Sequence, residues 1–186
     1  MRPVVLILVA CVGLACQEAP TEAAAARAQA RIATCFEPDD DCIALAVREI
    51  GAAEREILIQ AYAFTGRRIS GALREAEARG VQVRMIVDVS RENSERIRSV
   101  SEGGAEVLTD DGVSLQHNKI MIFDRRRVLT GSQNFTAGSN THAENMLIIE
   151  DERTVNAYLA NWLKRAAMSR PYVFRSGSQS PENDGE

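Results

Sequence analysis

Histidine is scarce in this sequence, which contains only His117 and His142 among 186 residues. A histidine-rich metal site is therefore excluded, and any imidazole chemistry must depend on one or two side chains. A surplus of positive charge is absent as well, because the net charge is −4 at pH 7. This balance excludes a protein that coats nucleic acid by bulk electrostatics, although it permits a local basic pocket.

The apolar run at the N-terminus, from Val4 to Cys16, is shorter than the roughly 20 residues that cross a bilayer. Because Arg2 precedes this run and a polar, alanine-rich stretch follows it, residues 1–16 are predicted to be an export signal. The mature protein is then expected outside the cytoplasm, in the periplasm. A buried N-terminal strand or helix is the alternative.

The letters "GLAC" at the end of this run also fit a lipoprotein processing site, with Cys16 as the lipidated residue. A lipid on Cys16 would tether the domain to a membrane. Ordinary cleavage a few residues later is the alternative, and the sequence leaves both open.

The rest of the chain is predicted to hold one domain. Residues 17–34 contain few large apolar side chains and are predicted to be a tether. A domain with a hydrophobic core is predicted over residues 35–170. Residues 171–186 end in "SGSQSPENDGE" and are predicted to be a disordered tail.

Cysteine is limited in the predicted domain to Cys35 and Cys42. In an oxidising compartment a pair this close predicts a disulfide, which would stabilise the fold by about 2.5 kcal/mol through chain entropy. Two unpaired buried thiols are the alternative. A zinc site is disfavoured, since no second pair of cysteines or histidines accompanies them.

Strands and helices alternate along the domain, which predicts an α/β fold with a mixed, mostly parallel β-sheet flanked by helices. Acids before an apolar, helically spaced stretch predict that the first helix is capped. The predicted helices lie within residues 38–57, 69–79, 91–102 and 152–168, and the predicted strands within 56–64, 81–88, 103–115, 119–124, 128–132 and 144–151.

The stretch "HNKIMIFD" combines two polar side chains with an apolar strand. Side chains alternate across a strand, so His117 and Lys119 are expected on one face, about 7 Å apart along the backbone. After the following hairpin, Gly131 permits close backbone approach, and Ser132 and Asn134 offer hydrogen-bond donors. A cation, neutral donors and a group that exchanges protons near neutral pH together suit a phosphate.

The spacing His117-x-Lys119-x4-Asp124-x6-Gly131-Ser132 resembles the HKD motif of the phospholipase D superfamily. The stretches "GSQNFT", "AENMLII" and "ILIQAYAFTGRRISGALREAEARGVQVRMIVD" are similar to small exported bacterial nucleases of that superfamily. The resemblance covers about residues 35–168. It implies a phospholipase D-like fold with one HKD motif per chain.

The resemblance also implies roles for individual residues of a phosphodiesterase that needs no metal and no cofactor. His117 would be the nucleophile that forms a phosphohistidine. Lys119 and Asn134 would bind the nonbridging phosphate oxygens, assisted by Ser132. Glu144 would hydrogen-bond the catalytic histidine and fix its tautomer, the alternative being an acid that opens a strand.

Asp124 belongs to the motif by name, yet it lies an odd number of positions from His117 and ends a strand. We therefore expect it to support the hairpin and not to touch the phosphorus. The basic residues Arg125, Arg126 and Arg127 are candidate nucleic-acid contacts, and a charged hairpin tip is the alternative. Further candidates for such a groove are Arg67, Arg68 and Arg91, whereas Tyr62 and Phe64 are predicted to be core residues.

One imidazole cannot be a neutral nucleophile and a protonated acid in the same step. Larger members of the superfamily carry two HKD motifs, whereas this sequence has one and no internal repeat. We therefore expect a homodimer with the site on its two-fold axis. His142 is the alternative second imidazole, but no lysine follows it at the required spacing.

The sequence thus favours a sequence-nonspecific endonuclease with nucleic acid, DNA or RNA, as its substrate. The first alternative is a phospholipase D or phosphatidyl transferase acting on lipid head groups. This alternative gains from lipidation of Cys16, but the sequence shows no apolar stripe for lifting lipid from a bilayer. The second alternative is a non-catalytic module that binds nucleic acid or another polyanion.

Overall fold

Alternating strands and helices build residues 30–138 and 141–174, which are the residues described by the computed structural model. A single 3-10 turn, Val89–Arg91, follows the third strand. The elements are β1 Arg31–Glu37, α1 Cys42–Gly51, β2 Glu56–Ala61, α2 Arg67–Ala78, β3 Gln82–Asp88, α3 Glu95–Gly103, β4 Glu106–Asp110, β5 Lys119–Phe123, β6 Arg127–Gly131, β7 Glu144–Glu150, α4 Glu152–Met168 and β8 Arg170–Pro171.

The strands form one eight-stranded sheet in the order β1-β7-β6-β5-β2-β3-β4-β8. This mixed α/β architecture confirms the predicted fold class. The expectation of a mostly parallel sheet is wrong, because only β2–β3 and β3–β4 pair in parallel among the described strands. Parallel neighbours need a crossover, which α2 and α3 supply, whereas β5, β6 and β7 follow one another without helices and pair antiparallel.

The sheet separates two apolar layers. Ile57 and Ile59 of β2 pack with α1, α2 and α3 on one face, whereas Leu58 packs with α4 on the other. This division follows from the alternation of side chains along a strand. Trp162 of α4 is fully buried, and its indole N–H donates to the backbone oxygen of Ile59 at 2.9 Å. Truncating Trp162 to alanine is expected to cost about 3–5 kcal/mol.

The helices begin at the caps that the sequence predicts. Asp41 caps α1 by accepting from the backbone N–H of Ala44 at 2.8 Å, and Asp151 caps α4 by accepting from Thr154 at 2.8 Å. The apolar face of α1 then points into the core. A disulfide joins Cys35 of β1 to Cys42 of α1, with the Cα atoms 5.7 Å apart. The predicted disulfide is thereby confirmed.

Both predicted boundaries of the domain need correction. Residues 31–34, placed in the tether, belong to β1 and pair with β7 from Arg31↔Glu150 onward. Pro171, placed in the tail, pairs with Leu108 of β4. Both are edge strands held by partners distant in sequence, so local composition did not reveal them. Residues 1–29, including the predicted signal, and 175–186 lie outside the described residues.

None of the helices within residues 30–138 and 141–174 is both long enough and apolar enough to cross a membrane.

Candidate active site

The candidate site lies at one end of the sheet, where β2, β3 and β6 end and β5 and β7 begin. Antiparallel pairing places Ala61 at the end of β2 beside Lys119 at the start of β5. In the same way, Gly131 at the end of β6 lies opposite Met146 of β7. We call this end of the sheet the site edge. The opposite end, which carries the β5–β6 turn at residues 124–126, is the hairpin edge.

The side chains of His117 and Lys119 meet at the site edge, as the strand alternation predicts. The Lys119 Nζ atom lies 3.0 Å from Nδ1 and 2.9 Å from Nε2 of the imidazole, and it donates to the His117 backbone oxygen at 2.9 Å. Lys119 is only 7% exposed, whereas His117 is exposed. The buried ammonium of Lys119 is thus held by the backbone oxygen of His117, and the imidazole ring of His117 stays accessible to a ligand.

The surroundings of this pair shift both pKa values downward. Burial lowers the pKa of His117, the charge of Lys119 lowers it further, and the carboxylate of Asp88 raises it. Burial also lowers the pKa of Lys119, against the opposing effect of Glu144. A histidine with a lowered pKa is neutral near pH 7, the form that a nucleophile requires.

An aromatic wall that the sequence reading missed borders this pair. The ring of Tyr62 lies 4.7 Å from the His117 ring and 5.4 Å from Lys119 Nζ. Arg91 stacks on Tyr62 at 5.0 Å and donates to its hydroxyl oxygen at 3.1 Å. The prediction that Tyr62 is a core residue is therefore wrong, although Phe64 is buried as predicted. Tyr62 is the residue after Ala61, which ends β2 and pairs with Lys119 of β5. The contact between Tyr62 and His117 can therefore be predicted only once the pairing of β2 with β5 is known.

Of the arginines considered near strand ends, Arg91 is the one that contacts this site. Arg67 and Arg68 open α2, where Arg68 donates to both carboxylate oxygens of Asp41 at 3.0 and 2.9 Å. Arg68 is therefore neutralised by a helix-capping residue. Arg67 is exposed.

Ser132 and Glu144 form the next part of the site edge. Ser132 donates its hydroxyl to the Glu144 carboxylate and accepts from the Asn145 backbone N–H at 3.0 Å. The expected hydrogen bond between Glu144 and His117 of the same chain is not found among the described residues. Glu144 opens β7 directly beside the end of β6, so its carboxylate reaches Ser132 first. It acts on Lys119 through its charge.

Asn134 and Gly131 complete the polar segment after β6. A side chain at Gly131 would collide with the backbone carbonyl of Asn145, which confirms the predicted need for close approach. Asn134 is half-buried, and its Oδ1 atom has no hydrogen-bond partner in the described part of the chain. Because Oδ1 is an acceptor, a phosphate oxygen would be bound by the Nδ2 group of this amide, which is its hydrogen-bond donor.

Asp124 lies at the hairpin edge and not in the site. Its carboxylate accepts backbone N–H bonds from Glu54 at 3.0 Å, Arg55 at 2.8 Å and Glu56 at 3.0 Å. Burial opposes the shift, but these bonds hold the pKa of Asp124 below its ordinary value. The length of β5, about 16 Å, separates Asp124 from Lys119. Asp124 therefore supports the hairpin, as expected from its position, and its membership of the HKD motif does not bring it into the site.

The three arginines of the hairpin tip are equally remote from the site. Arg125 forms an ion pair with Glu56, and Arg127 pairs with Glu49 at 2.6 Å. Arg126 is exposed beside them. Two of these arginines are paired with glutamates and all three lie at the other end of the sheet, so they do not contribute to the site edge; contact with nucleic acid stays a prediction for them.

His142 lies exposed in the segment before β7. Within residues 30–138 and 141–174, no group of three or more histidine, cysteine, aspartate or glutamate side chains is arranged to hold a metal ion. The site edge holds His117, Lys119, Asn134 and their neighbours.

The match to known proteins decides the family. A family model described as "Cardiolipin synthase, PLD-like domain" matches residues 46–166. The chain belongs to the phospholipase D superfamily. A protein named Phospholipase D from Rickettsia conorii is 37% identical over 142 residues, which cover 75% of this chain and 71% of that one. The mitochondrial cardiolipin hydrolase of Homo sapiens is 30% identical over 116 residues, covering 61% and 46%.

Solved structures agree with this phospholipase D superfamily assignment. The phospholipase D family member NUC from Salmonella typhimurium aligns with a TM-score of 0.72 and 29% identity, over 77% of this chain and 99% of that one. NucT from Helicobacter pylori aligns at 0.70 over 77% and 100%; at 19% identity it shows the fold alone. The predicted family and fold are confirmed, and the chain is a phosphodiesterase of this superfamily.

Proposed function

We propose that this phosphodiesterase is a metal-independent endonuclease that acts through a phosphohistidine on His117, in an active site shared by two chains. One observation carries the proposal: an exposed imidazole in contact with a buried ammonium at the site edge, with one such pair in each chain. Similarity to NUC from Salmonella typhimurium at 29% identity supports it. Nucleic acid, DNA or RNA, is the proposed substrate.

In the proposed reaction, a ring nitrogen of His117 attacks the phosphorus and forms a P–N bond while the P–O bond to the leaving group breaks. The imidazolium of His117 of the partner subunit gives its proton to the leaving oxygen. Water then attacks the phosphorus of the phosphohistidine and forms a new P–O bond while the P–N bond breaks and its electron pair returns to His117. The partner subunit's His117 accepts a proton from that water, and the second product leaves. Lys119 and Asn134 neutralise and bind the nonbridging oxygens.

The shared site requires a homodimer, and the site edge offers a surface for it. Val89, Val113 and Leu115 are exposed apolar residues in the segments that follow β3 and β4 at this edge. Apolar side chains grouped around a polar site suit contact with a second chain. The proposal places the two-fold axis between the two copies of His117.

Export to the periplasm is part of the same proposal. The Cys35–Cys42 disulfide supports an oxidising compartment. A membrane tether through Cys16, if that residue is lipidated, stays a prediction, because it lies outside the described residues.

The test is to incubate the purified protein with plasmid DNA, single-stranded RNA and phosphatidyl lipid vesicles, each in excess EDTA, beside a His117→Ala variant. Cleavage of nucleic acid in EDTA by the wild type, lost in the variant, is expected. Activity that disappears in EDTA and returns with magnesium would contradict a metal-independent site.

A lipid phosphodiesterase is the second candidate, favoured by the names of the Rickettsia relatives and by one feature of the fold. Ile32 and Phe36 are 60% and 56% exposed on one face of β1, contrary to the expectation that no apolar stripe exists. Phe36 pairs with Asn145, beside the site. Release of head groups from the vesicles without cleavage of DNA or RNA would favour this candidate. A non-catalytic module loses its support, because the His117–Lys119 contact is intact.

A further inference from the structure

A network of hydrogen-bonded polar side chains lies next to the His117–Lys119 pair, on the face of the sheet that α4 covers. The Gln116 backbone N–H donates to Asp88 Oδ2 at 2.7 Å, and Gln116 Oε1 accepts from the Asn118 backbone N–H at 2.9 Å. The Asn118 amide donates to Gln60 Oε1 at 2.9 Å, and Gln60 donates to Asn161 of α4 at 3.3 Å. The residues on either side of His117 are thus both anchored.

The burial of this polar network needs a physical reason, because burying a polar group costs folding free energy unless the group is fully hydrogen-bonded. Asp88, Gln60 and Gln116 are all at most 2% exposed. Asp88 uses its other oxygen, Oδ1, to accept from the Ser90 backbone N–H at 2.9 Å and hydroxyl at 2.5 Å. Its negative charge is therefore held by neutral donors.

Asp110 is a second buried carboxylate for comparison, and its charge is paired with an arginine. It ends β4 directly opposite Asp88 at the end of β3 and is fully buried as well. Asp110 is neutralised by Arg165 of α4, with an N–O distance of 2.7 Å from the guanidinium Nε. Asp88 forms no such salt bridge with a lysine or arginine in the described part of the chain. The charge of Asp88 is therefore free to act on His117.

The charged and titratable groups around His117 come from every neighbouring element. Lys119 lies on the same segment as His117, and Tyr62 contacts the imidazole from the end of β2. Arg91, after β3, stacks on Tyr62, and Glu144 acts on Lys119 from β7. Lys119 opposes a proton on the imidazole, whereas Asp88 favours one.

We propose that Asp88 is a positioning residue for the phosphodiesterase reaction: it clamps the backbone ahead of His117 and supplies the negative charge that lets the imidazole carry a proton. The proposal rests on the proposed function only in taking His117 as the reacting group. In a shared site, the same imidazole must be neutral in one role and protonated in the other. A fixed carboxylate behind it keeps both forms accessible near neutral pH.

The deciding experiment titrates His117 by NMR in the full, substrate-free protein, comparing wild type, Asp88→Asn and the matched control Asp110→Asn. His142, the other histidine, is an internal reference. In Asp88→Asn the His117 midpoint should move to lower pH, because a charge that favours protonation is removed, while His142 stays in place. In Asp110→Asn both midpoints should stay in place, although the melting temperature should fall as Arg165 loses its partner.

A kinetic arm measures the pH profile with an activated phosphodiester, bis(4-nitrophenyl) phosphate. Asp88→Asn should shift the profile to lower pH and lower kcat by about 10- to 100-fold with KM less affected. An unmoved His117 midpoint in folded Asp88→Asn, or an equal shift in Asp110→Asn, would overturn the proposal. Because the titration needs no substrate, a shifted midpoint in a protein that cleaves no nucleic acid would refute the proposed substrate alone.

Asn118→Ala decides the matter if Asp88→Asn does not fold. This change removes the bond to Gln60 on the reverse face and leaves the charge of Asp88 in place. The expected result is a several-fold lower kcat with an unchanged His117 midpoint. Full activity in Asn118→Ala would show that anchoring of this segment is irrelevant to the reaction, and the positioning role would be abandoned.

Discussion

The two ends of strand β5 both carry charged side chains but differ in how those charges are paired. At the hairpin edge, Asp124 accepts three backbone N–H bonds, and Arg125 and Arg127 each meet a glutamate. At the site edge, Lys119 meets an imidazole and a carbonyl oxygen in place of a carboxylate. The first arrangement is satisfied within the chain, whereas the second leaves an exposed imidazole beside an ammonium that has no carboxylate partner at hydrogen-bond distance among the described residues.

The difference teaches how to separate charge that supports the fold from charge that performs chemistry. Buried polar groups are normally paired, so an unpaired one marks either a binding site or a local weakness of the structure. Asn134, with its unpartnered Oδ1 atom, belongs to the site edge as well. Motif membership alone did not make this distinction, because Asp124 belongs to the HKD motif and supports the hairpin.

The largest expected effect comes from removing the imidazole of the site edge. His117→Ala should lower the rate of phosphodiester cleavage by at least about 10³-fold while leaving the melting temperature close to that of the wild type, because His117 is exposed. Measuring both quantities on one preparation separates chemistry from folding.

The same variant tests the shared site. If each site needs His117 from both chains, an isolated heterodimer of wild-type and His117→Ala chains should be nearly inactive. Random mixing at equal amounts should leave about one quarter of the starting rate, whereas independent sites would leave about one half. A heterodimer with half the wild-type rate, or a fully active monomer in sedimentation, would show that another group supplies the acid.

The second prediction compares two variants, each of which replaces one cationic side chain at one end of β5 by methionine. Lys119→Met should lower kcat by about 10²- to 10³-fold, because it removes the charge that neutralises the phosphate. Arg127→Met should leave kcat unchanged and lower the free energy of unfolding by about 1–3 kcal/mol, because Glu49 loses its closer partner and keeps only the 3.9 Å contact with Arg48. Parallel assays and urea unfolding compare the two. Equal losses of activity would remove the distinction between the two ends.

The third prediction concerns Asp124, which the HKD motif includes by name. Asp124→Ala leaves three backbone N–H donors without their acceptor and is expected to lower the free energy of unfolding by about 3 kcal/mol. The kcat per folded molecule should stay within a factor of about two. A large fall in kcat at unchanged stability would place Asp124 in the reaction after all.

Local sequence patterns predicted the elements that depend on local interactions. Asp41 and Asp151 identified the starts of α1 and α4, because capping acts within a few residues. The HNK spacing placed His117 and Lys119 together, because strand alternation is also local. The pairing of β1 with β7 joins residues more than 100 positions apart, so local composition alone predicts a tether for the first part of "RIATCFE".

The missed parts of the site depend on strand order. Tyr62 and Asp88 reach His117 because β2 lies between β5 and β3 in the sheet, an order that no short window of sequence contains. Glu144 meets Ser132 because of the register of β7 on β6. The sequence therefore predicts which residues carry the chemistry, whereas the contacts that these residues make could be identified only from the fold.

The smallest expected effect concerns Glu77 of α2, a weakly satisfied carboxylate on the helical layer of the fold. Both of its oxygens are buried without a full hydrogen bond, since the nearby N–H of Ala105 donates to Val100. Burial raises the pKa of Glu77 to about 7, against the opposing effects of Arg74 and of the Ala105 N–H. As in the comparison of the two ends of β5, an unpaired buried polar group of this kind marks either a binding site or a local weakness of the structure.

The linked proton distinguishes these two meanings for Glu77. Its pKa is higher in the folded protein than in the unfolded chain, so the folded state binds more protons between pH 4.5 and about 7, and this group's contribution to stability falls as the pH rises through that window. Glu77→Gln should remove that fall, raising the melting temperature at pH 8 relative to wild type and leaving kcat unchanged. The exposed Glu75→Gln on the same helix is the matched control and should change neither quantity. Thermal melts at pH 5 and pH 8 measure the effect. A lower kcat in Glu77→Gln would make Glu77 part of a second functional region, whereas the expected result makes it a local weakness of the helical layer.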